Sequence, residues 1–334
     1  MAAKGGQRRI PRRILVVSLD NLGDLVFASA LLPPLRESFP SSYIGVWCKE
    51  YASGLGPLLP VVDVIYSADP FWDQAPGGRK GSFRAFVATA SAVRRARFDT
   101  ALLCFAPWRT AAAVAATGIP VRIGLERRRN QRWLTEILPA EDRHKPVLSE
   151  VARLLEPLGA GTTGLRYRLD ASASESDRAL AELSLSHTPF VALHPFAGSQ
   201  SRCVELSHWV RTAEDLSSLG LAIFWIGTPK ELQQVREVSV EPERWRYSDT
   251  LRGSSLTLMA QAISTAKLFM GHDSGPLHIA AALGVPSIGV FAPGEPTRTF
   301  PQGRAKWRLI ARSSPLDVTA DDMIREARSM LQSV

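Results

Sequence analysis

The turn at residues 18–24, which reads SLDNLGD, carries the first residues that could do chemistry. It follows an apolar run, and Gly23 permits a tight backbone just before Asp24, which stands where a helix would begin. A carboxylate at that position can cap the helix, favoured by the helix dipole, or point into a cleft as a general base. Position alone leaves both interpretations open. A dinucleotide fingerprint needs three glycines, so the single glycine here argues against an NAD enzyme.

The segment at residues 194–202, which reads HPFAGSQSR, also follows an apolar run. Its small residues let the backbone approach a ligand, and Ser199, Ser201 and Arg202 offer hydrogen-bond donors to phosphate oxygens. The segment lacks the GxxxxGK[ST] pattern of a P-loop. It therefore fits either a phosphate-binding loop or an ordinary loop of an α/β sheet.

The segment at residues 271–278, which reads GHDSGPLH, leads from an apolar stretch into a helix with proline in its first turn. The backbone amides of Ser274 and Gly275 would point at an anion there, reinforced by the helix dipole, and His278 lies one turn further on. The alternative is a capped helix with Asp273 or Ser274 as the N-cap and both histidines incidental. The pattern is not GxSxG, which excludes the nucleophile elbow of an α/β-hydrolase.

The overall composition is that of a globular protein with an excess of positive charge. Lys and Arg total 40 against 32 Asp and Glu, and the net charge of +8 favours anionic partners. No nucleic-acid-binding module accompanies this charge, so we expect no nucleic-acid partner. An Asp-x-Asp clamp and Cys/His ligand spacing are both missing, so we expect no metal. The three separated cysteines suit a reducing cytoplasm, and no run approaches the ~20 apolar residues of a membrane span.

Short apolar runs alternate with helical patterns along the whole chain, which predicts an α/β architecture with parallel sheets. We predict a first strand at residues 13–19, a helix at 24–38, and a further helix at 147–158 that closes the first half. Because ligands of doubly wound sheets bind at the carboxyl ends of the strands, we expect the three polar segments to face one cleft.

The chain is predicted to form two domains, because residues 158–164 are rich in Gly and Thr and lose all periodicity. This gives an N-terminal domain over residues 1–160 and a C-terminal domain over 161–334. We expect a final helix at 319–331 to pack back on the first domain.

The three segments together resemble glycosyltransferase family 9, whose best-known members are the ADP-heptose:lipopolysaccharide heptosyltransferases. The resemblance rests on LGD at 22–24, on the loop at 194–199, and on DSGPLHIAAALG at 273–284 followed by FAP at 291–293. It covers nearly the whole chain in order and spacing. It implies an α/β fold of the GT-B type, in which two Rossmann-like, doubly wound domains face a cleft. The N-terminal domain (1–160) would bind the acceptor and the C-terminal domain (161–334) the nucleotide-sugar donor. It also implies an inverting transfer that needs neither a metal nor a cofactor.

The resemblance implies a role for individual residues. Asp24, beside the turn glycine Gly23, matches the general base that takes the proton of the acceptor hydroxyl. The loop departs from the family at residues 202–204, which read RCV where a lysine and a tryptophan are usual. The positions that match the donor site are Ser199, Arg202, Glu231, Asp273, Ser274, Gly275 and His278.

The resemblance also implies two substrates, ADP-heptose as the donor and a glycolipid as the acceptor. That acceptor is the lipopolysaccharide inner core, through a Kdo or a first heptose on lipid A, which predicts a cytoplasmic enzyme at the inner face of the inner membrane. The basic segments at residues 4–13 and 94–97 could rest there on anionic headgroups. The alternatives are a transferase with another donor or acceptor, a nucleotide-sugar epimerase or hydrolase of the same architecture, and a binding protein without turnover.

Overall fold

The chain forms two parallel six-stranded sheets, each covered by helices. The computed structural model describes residues 10–74, 78, 80–142, 144–186, 188–239, 245–249, 253–293 and 296–333. The first sheet ends at Leu138 and the second begins at Phe190, so the predicted boundary between residues 160 and 161 falls in the connection between them.

The first sheet and its helices occupy the N-terminal half of the chain. The strand β1 reads RILVVS and is buried along nearly its whole length, as expected for a parallel strand covered on both faces. The elements are β1 (Arg13–Ser18), α1 (Leu22–Ser29), α2 (Leu32–Ser38), β2 (Tyr43–Cys48), β3 (Val64–Ser67), α3 (Phe83–Arg95), β4 (Thr100–Leu103), α4 (Trp108–Ala116), β5 (Val121–Leu125), β6 (Glu136–Leu138) and α5 (Val147–Arg153).

The second sheet repeats the same plan, again with fully buried strands at its centre. Its elements are α6 (Ala173–Glu182), β7 (Phe190–His194), α7 (Leu206–Ser218), β8 (Ala222–Gly227), α8 (Pro229–Glu237), β9 (Trp245–Asp249), α9 (Gly253–Ile263), β10 (Leu268–His272), α10 (Gly275–Ala282), β11 (Ser287–Phe291), α11 (Pro296–Thr299), β12 (Trp307–Ala311) and α12 (Ala320–Gln332).

Both sheets have the strand order of a doubly wound Rossmann fold. The first runs β3-β2-β1-β4-β5-β6 and the second, read from its other edge, β9-β8-β7-β10-β11-β12. In each sheet the order reverses beside the first strand, between β1 and β4 and between β7 and β10. A crevice opens at such a point at the carboxyl ends of the strands, and ligands bind in it. The predicted pair of Rossmann-like domains is confirmed.

The two domains share one continuous apolar core. Helix α1 packs against α10, and α9 packs against a 3₁₀ helix at Glu50–Leu58. Backbone groups join the halves as well, since Asp170 N–H donates to the Leu58 carbonyl at 2.8 Å and the Thr257 hydroxyl to the Gly54 carbonyl at 2.5 Å. The cleft is therefore framed by a packed interface.

The predicted helix at residues 24–38 is wrong in one respect, because it is two helices. Helix α1 ends at Ser29 and α2 begins at Leu32, with Pro33 and Pro34 in its first turn. A proline has no N–H to donate to the preceding turn, so one helix cannot run through this pair. The predicted helix at 147–158 is similarly divided, since α5 ends at Arg153 and a 3₁₀ turn with a proline follows.

The expectation that the final helix packs back on the first domain is wrong. Met323, Ala327 and Met330 of α12 are buried in the core of the C-terminal domain, where the helix packs on α7. An ion pair of 2.6 Å between Arg328 and Asp215 of α7 fixes the same contact. The amphipathic pattern predicted a helix with one buried face but could not say which sheet would cover it.

Candidate active site

A cleft of about 430 Å³ lies between the two switch points and is lined from both domains. It collects the turn after β1, the loop after β7 and the start of α10, as expected for the carboxyl edges of two facing sheets. The residues that line it are Asn21, Leu22, Gly23, Asp24, Phe27, Tyr51, His194, Phe196, Ala197, Gly198, Arg202, Thr228, Glu231, Asp273, Ser274, Gly275, Pro276, His278 and Thr299.

Asp24 is the carboxylate that the N-terminal domain contributes. It occupies the first turn of α1, where its Oδ2 accepts a hydrogen bond from the Asn21 N–H at 2.9 Å. The capping interpretation is therefore correct, but the same side chain also lines the cleft. Burial, followed by the negative charge of Asp20, raises the pKa of Asp24 to about 7. A carboxyl with that pKa accepts a proton near neutral pH far more readily than an ordinary one.

The surroundings of Asp24 keep this carboxyl from becoming permanently neutral. Lys49, whose side chain is buried and pairs with Asp73 at 2.6 Å, lowers the pKa of Asp24, and so does Arg127. Burial also raises the pKa of Asp20. The pKa of Asp24 is therefore set by burial and Asp20, which raise it, and by Lys49 and Arg127, which lower it.

Two glycines set the distance between the domains at the cleft. A Cβ on Gly23 would lie 3.3 Å from His278 Cδ2, and one on Gly275 would lie 3.0 Å from Leu22 Cδ2. The N-terminal turns of α1 and α10 therefore approach each other where each has a glycine. A side chain at Gly275 would crowd the Leu22 side chain, so this glycine has a packing reason as well as any role toward a ligand.

Asp273 and His278 form a polar cluster at the start of α10. His278 Nε2 lies 3.4 Å from Asp273 Oδ1, and the other carboxylate oxygen accepts the Thr299 hydroxyl at 3.0 Å. Arg202 lies 3.7 Å from that oxygen, so the loop after β7 reaches the same group. His278 packs edge-on against Phe27 of α1, with 4.6 Å between ring centroids. The cluster touches both domains.

Ser274 and His194 join the loop after β7 to the start of α10. Ser274, the N-cap of α10, donates its hydroxyl to the His272 carbonyl at 3.0 Å and lies 3.1 Å from His194 Nδ1. The hydroxyl has one proton, so His194 Nδ1 is the donor in the second contact. Burial lowers the pKa of His194 to about 3, which makes it a neutral side chain at pH 7.

His272 anchors the loop that departs from the family pattern. Its Nε2 accepts the Val204 N–H at 3.1 Å and its Nδ1 lies 3.2 Å from the Val290 carbonyl. Burial lowers the pKa of His272 to about 4, so it too is neutral at pH 7. Val204 is buried in the C-terminal core. The departure at residues 202–204 is thus accommodated by an apolar side chain in the core and a backbone hydrogen bond.

Two of the predicted donor-site residues behave differently from the rest. Glu231 lines the cleft from the first turn of α8, where its carboxylate accepts the Thr228 N–H at 2.8 Å, so it is also half of a capping box. Ser199 is exposed, contacts the Ser201 hydroxyl at 2.8 Å and does not line the cleft. The structure brings the other predicted residues together and leaves Ser199 outside.

Sequence reasoning missed several residues that line the cleft. Tyr51 belongs to a 3₁₀ helix and Thr299 to α11, and neither segment carries a motif. Phe27 lies one turn beyond Asp24 on α1, so helical spacing was the signal that could have found it.

The comparisons with known proteins agree with this geometry. The sequence profile described as "Glycosyltransferase family 9 (heptosyltransferase)" matches residues 86–316, more than two thirds of the chain. The chain belongs to glycosyltransferase family 9. It is therefore a glycosyltransferase, and the resemblance given by its three motifs is confirmed.

Individual members of family 9 are distant in sequence and close in fold. Lipopolysaccharide heptosyltransferase 2 of Escherichia coli K12 is 24% identical over 309 residues, covering 86% of this chain and 85% of the relative. The solved E. coli ADP-heptose lps heptosyltransferase II superposes with a TM-score of 0.81 at 21% identity, covering 96% and 99% of the two chains. E. coli heptosyltransferase WaaC with ADP gives 0.78 at 16% identity, covering 95% and 99%. The GT-B fold is confirmed.

The described residues also bear on metals and membranes. No group of three or more His, Cys, Asp or Glu in them could hold a metal ion. No helix among them is long and apolar enough to cross a membrane. The basic segment at residues 4–13 lies mostly outside the described part of the chain, which begins at residue 10.

Proposed function

We propose that this family 9 glycosyltransferase moves a heptose from ADP-heptose to a hydroxyl of a lipopolysaccharide inner-core acceptor, with inversion and without a metal. One observation carries the proposal: a carboxyl whose pKa is raised to about 7 faces, across a single cleft, an arginine and the N-terminus of a helix. A base on one side and groups that bind an anion on the other are what an in-line glycosyl transfer needs.

Asp24 is the base in this proposal. The acceptor hydroxyl oxygen attacks the anomeric carbon of the heptose from the face opposite the diphosphate. As the new C–O bond forms, Asp24 takes the hydroxyl proton. The bond from the anomeric carbon to the diphosphate breaks, and ADP leaves with its electron pair. Attack from the opposite face inverts the anomeric centre.

The negative charge that develops on ADP is stabilised from the C-terminal domain. His194 and His272 are neutral at pH 7, so neither can supply a cation. Arg202, His278 and the backbone N–H groups at the start of α10 line the same wall of the cleft and would meet the diphosphate. Glu231 lies on the same side of the cleft, where its carboxylate can accept a hydrogen bond from the nucleoside. The donor then spans the C-terminal wall, and the acceptor approaches from Asp24.

Two relatives support the two substrates. One is a lipopolysaccharide heptosyltransferase, and the other is a heptosyltransferase solved with ADP. A glycolipid acceptor would be met at a membrane surface, which for this pathway is the cytoplasmic face of the inner membrane.

Isothermal titration with ADP-heptose, ADP and UDP-GlcNAc tests the donor first. We expect the two adenosine compounds to bind and the uridine compound not to bind. A preference for UDP-GlcNAc would show that the loop at residues 202–204 has changed the donor and would overturn this assignment.

ADP release from ADP-heptose, measured with and without a Kdo-bearing acceptor, tests the reaction. We expect release only with the acceptor present. Release at full rate without any acceptor would instead show a nucleotide-sugar hydrolase or epimerase of the same fold.

A further inference from the structure

An apolar groove of about 700 Å³ lies on the N-terminal domain between α3 and α4. It starts near the carboxyl edge of the first sheet, where the chain after β3 and the start of α4 lie, and this is the edge that carries Asp24. Small side chains along both helices leave the groove open. The residues that line it are Phe71, Trp72, Phe86, Val87, Ala90, Ser91, Arg94, Trp108, Arg109, Ala112, Ala113, Ala116 and Thr117.

Large apolar side chains stand in water around the mouth of this groove. Phe83 is 61% exposed, Phe71 41% and Trp108 40%. The rings of Phe71 and Phe83 pack edge-on at 5.0 Å between centroids, so they form one exposed aromatic patch. An apolar patch that a folded chain leaves in water marks an interaction surface.

The charged side chains that line the groove are positive. Arg94 and Arg109 line it and are exposed, and among the described residues no Asp or Glu lines it. Asp73, which follows Trp72 in the chain, pairs instead with Lys49 at 2.6 Å. The surface therefore pairs exposed aromatic rings with cations, which complements an anionic amphiphile.

We propose that this aromatic–basic groove docks the enzyme on a bilayer surface that carries anionic headgroups. Exposed Trp and Phe side chains sit at the boundary between headgroups and acyl chains, and each nearby Arg attracts the negative surface. Docking there places the α3–α4 face of the N-terminal domain on the membrane, and the aromatic end of the groove lies at the carboxyl edge of the sheet, which also carries Asp24. The orientation of the site toward a lipid-borne acceptor rests on the proposed function, but docking itself does not.

Co-sedimentation with vesicles tests the docking without donor or acceptor. Vesicles of phosphatidylcholine alone are compared with vesicles in which a third of the lipid is phosphatidylglycerol. We expect binding to the anionic vesicles and a loss of that binding as salt is raised, because exposed charges are screened. The double variant Arg94→Gln/Arg109→Gln should bind about thirty-fold more weakly, as two basic residues near the surface are removed. Phe83→Ser/Trp108→Ser should bind at least about ten-fold more weakly, as two inserted rings are lost.

Matched controls lie on the C-terminal domain. Leu316→Ser removes an 86% exposed apolar side chain, and Arg304→Gln removes an exposed cation, so neither should change vesicle binding. All variants should transfer heptose to a delipidated, water-soluble acceptor at the wild-type rate, which shows that they are folded.

Three results would overturn the docking. One is equal wild-type binding to neutral and anionic vesicles, or to neither. Another is that both double variants bind vesicles as well as the wild type and keep its KM for an acylated acceptor, which would assign the groove to a protein partner. The third is that both double variants bind vesicles as well as the wild type but have a raised KM for the acylated acceptor, which would assign the groove to the acyl chain of the acceptor. If the wild-type enzyme transfers no heptose to the soluble acceptor, that result counts against the proposed function and not against the docking.

Discussion

The two strand-to-helix turns that face each other across the cleft have the same backbone plan, but the charged groups around them differ: two carboxyls lie together at the first, whereas Asp273 at the second is paired with Arg202 and His278. The turn after β1 places Asp24 in the first turn of α1, beside a second carboxyl, and the pKa of Asp24 is raised to about 7. The turn after β10 leads into α10 beside Arg202 and a histidine, His194, that burial keeps neutral. The doubled Rossmann plan thus supplies two helix N-termini, and in the proposed function the local side chains make one a proton acceptor and the other an anion site.

The largest expected effect comes from changing Asp24 in the turn after β1. Asp24→Asn keeps the hydrogen bond from the Asn21 N–H but removes the base. We expect turnover to fall by about 10²–10⁴-fold while donor affinity stays unchanged. Steady-state kinetics of transfer, combined with titration of ADP, separates the two quantities. Unchanged turnover would remove Asp24 from the mechanism.

The next largest effect comes from changing Arg202, which lies beside the turn after β10. Arg202→Gln removes the guanidinium that lines the cleft beside the start of α10, and His194 and His272, which are neutral at pH 7, supply no charge in its place. Donor affinity should fall by roughly 10- to 100-fold, the range of a charge-assisted hydrogen bond. Titration with ADP measures it. Arg211→Gln, an exposed arginine on α7, is the matched control, and an equal loss there would refute a local role for Arg202.

A third change loosens the junction that holds the two turns opposite each other. Glu150 has a nearly buried side chain that pairs with Arg127 of the N-terminal domain at 3.4 Å and with Arg298 of α11 at 3.3 Å. Glu150→Gln should lower the free energy of unfolding by about 1–2 kcal/mol, since both arginines are partly exposed and water can solvate them. Urea denaturation measures it. Glu156→Gln, on an exposed side chain 3.9 Å from Arg153, should have no effect, and equal losses would contradict the junction.

The smallest expected effect is a change in the pH dependence of kcat/KM. A general base must be ionised, so kcat/KM should fall as pH drops below about 7, where Asp24 becomes protonated. The charge of Asp20 raises that pKa, so Asp20→Asn should lower it and move the acid limb of the profile to lower pH. The pH dependence of kcat/KM for the two enzymes tests the direction. A shift to higher pH would show that Asp20 does not act on Asp24 through its charge.

The sequence by itself determined the local chemistry and the class of fold. Strands at 13–19 and 190–194 and the helix that begins near residue 275 follow from apolar runs, a capping residue and a proline in the first turn, all of which are local. The same locality explains why Asp24, Asp273 and Ser274 could be singled out. Helix α2 was not predicted as a separate element, although the two prolines in its first turn indicate a helix start there.

The tertiary structure alone decided which of these residues meet, how they ionise and where the amphipathic faces are covered. Tyr51 and Thr299 enter the cleft through segments without a motif, and Ser199 leaves it although its motif predicted a donor contact. The pKa of Asp24 depends on burial between two domains and on Lys49 and Arg127, which approach it only after folding, as well as on the neighbouring Asp20. Helix α12 packs on α7 because a periodic pattern defines a buried face but not its partner. The lining of the cleft, the pKa of Asp24 and the packing of α12 all depend on contacts between residues that are distant in the chain. Hydrophobic periodicity, capping and motif spacing describe only residues that are close in the chain.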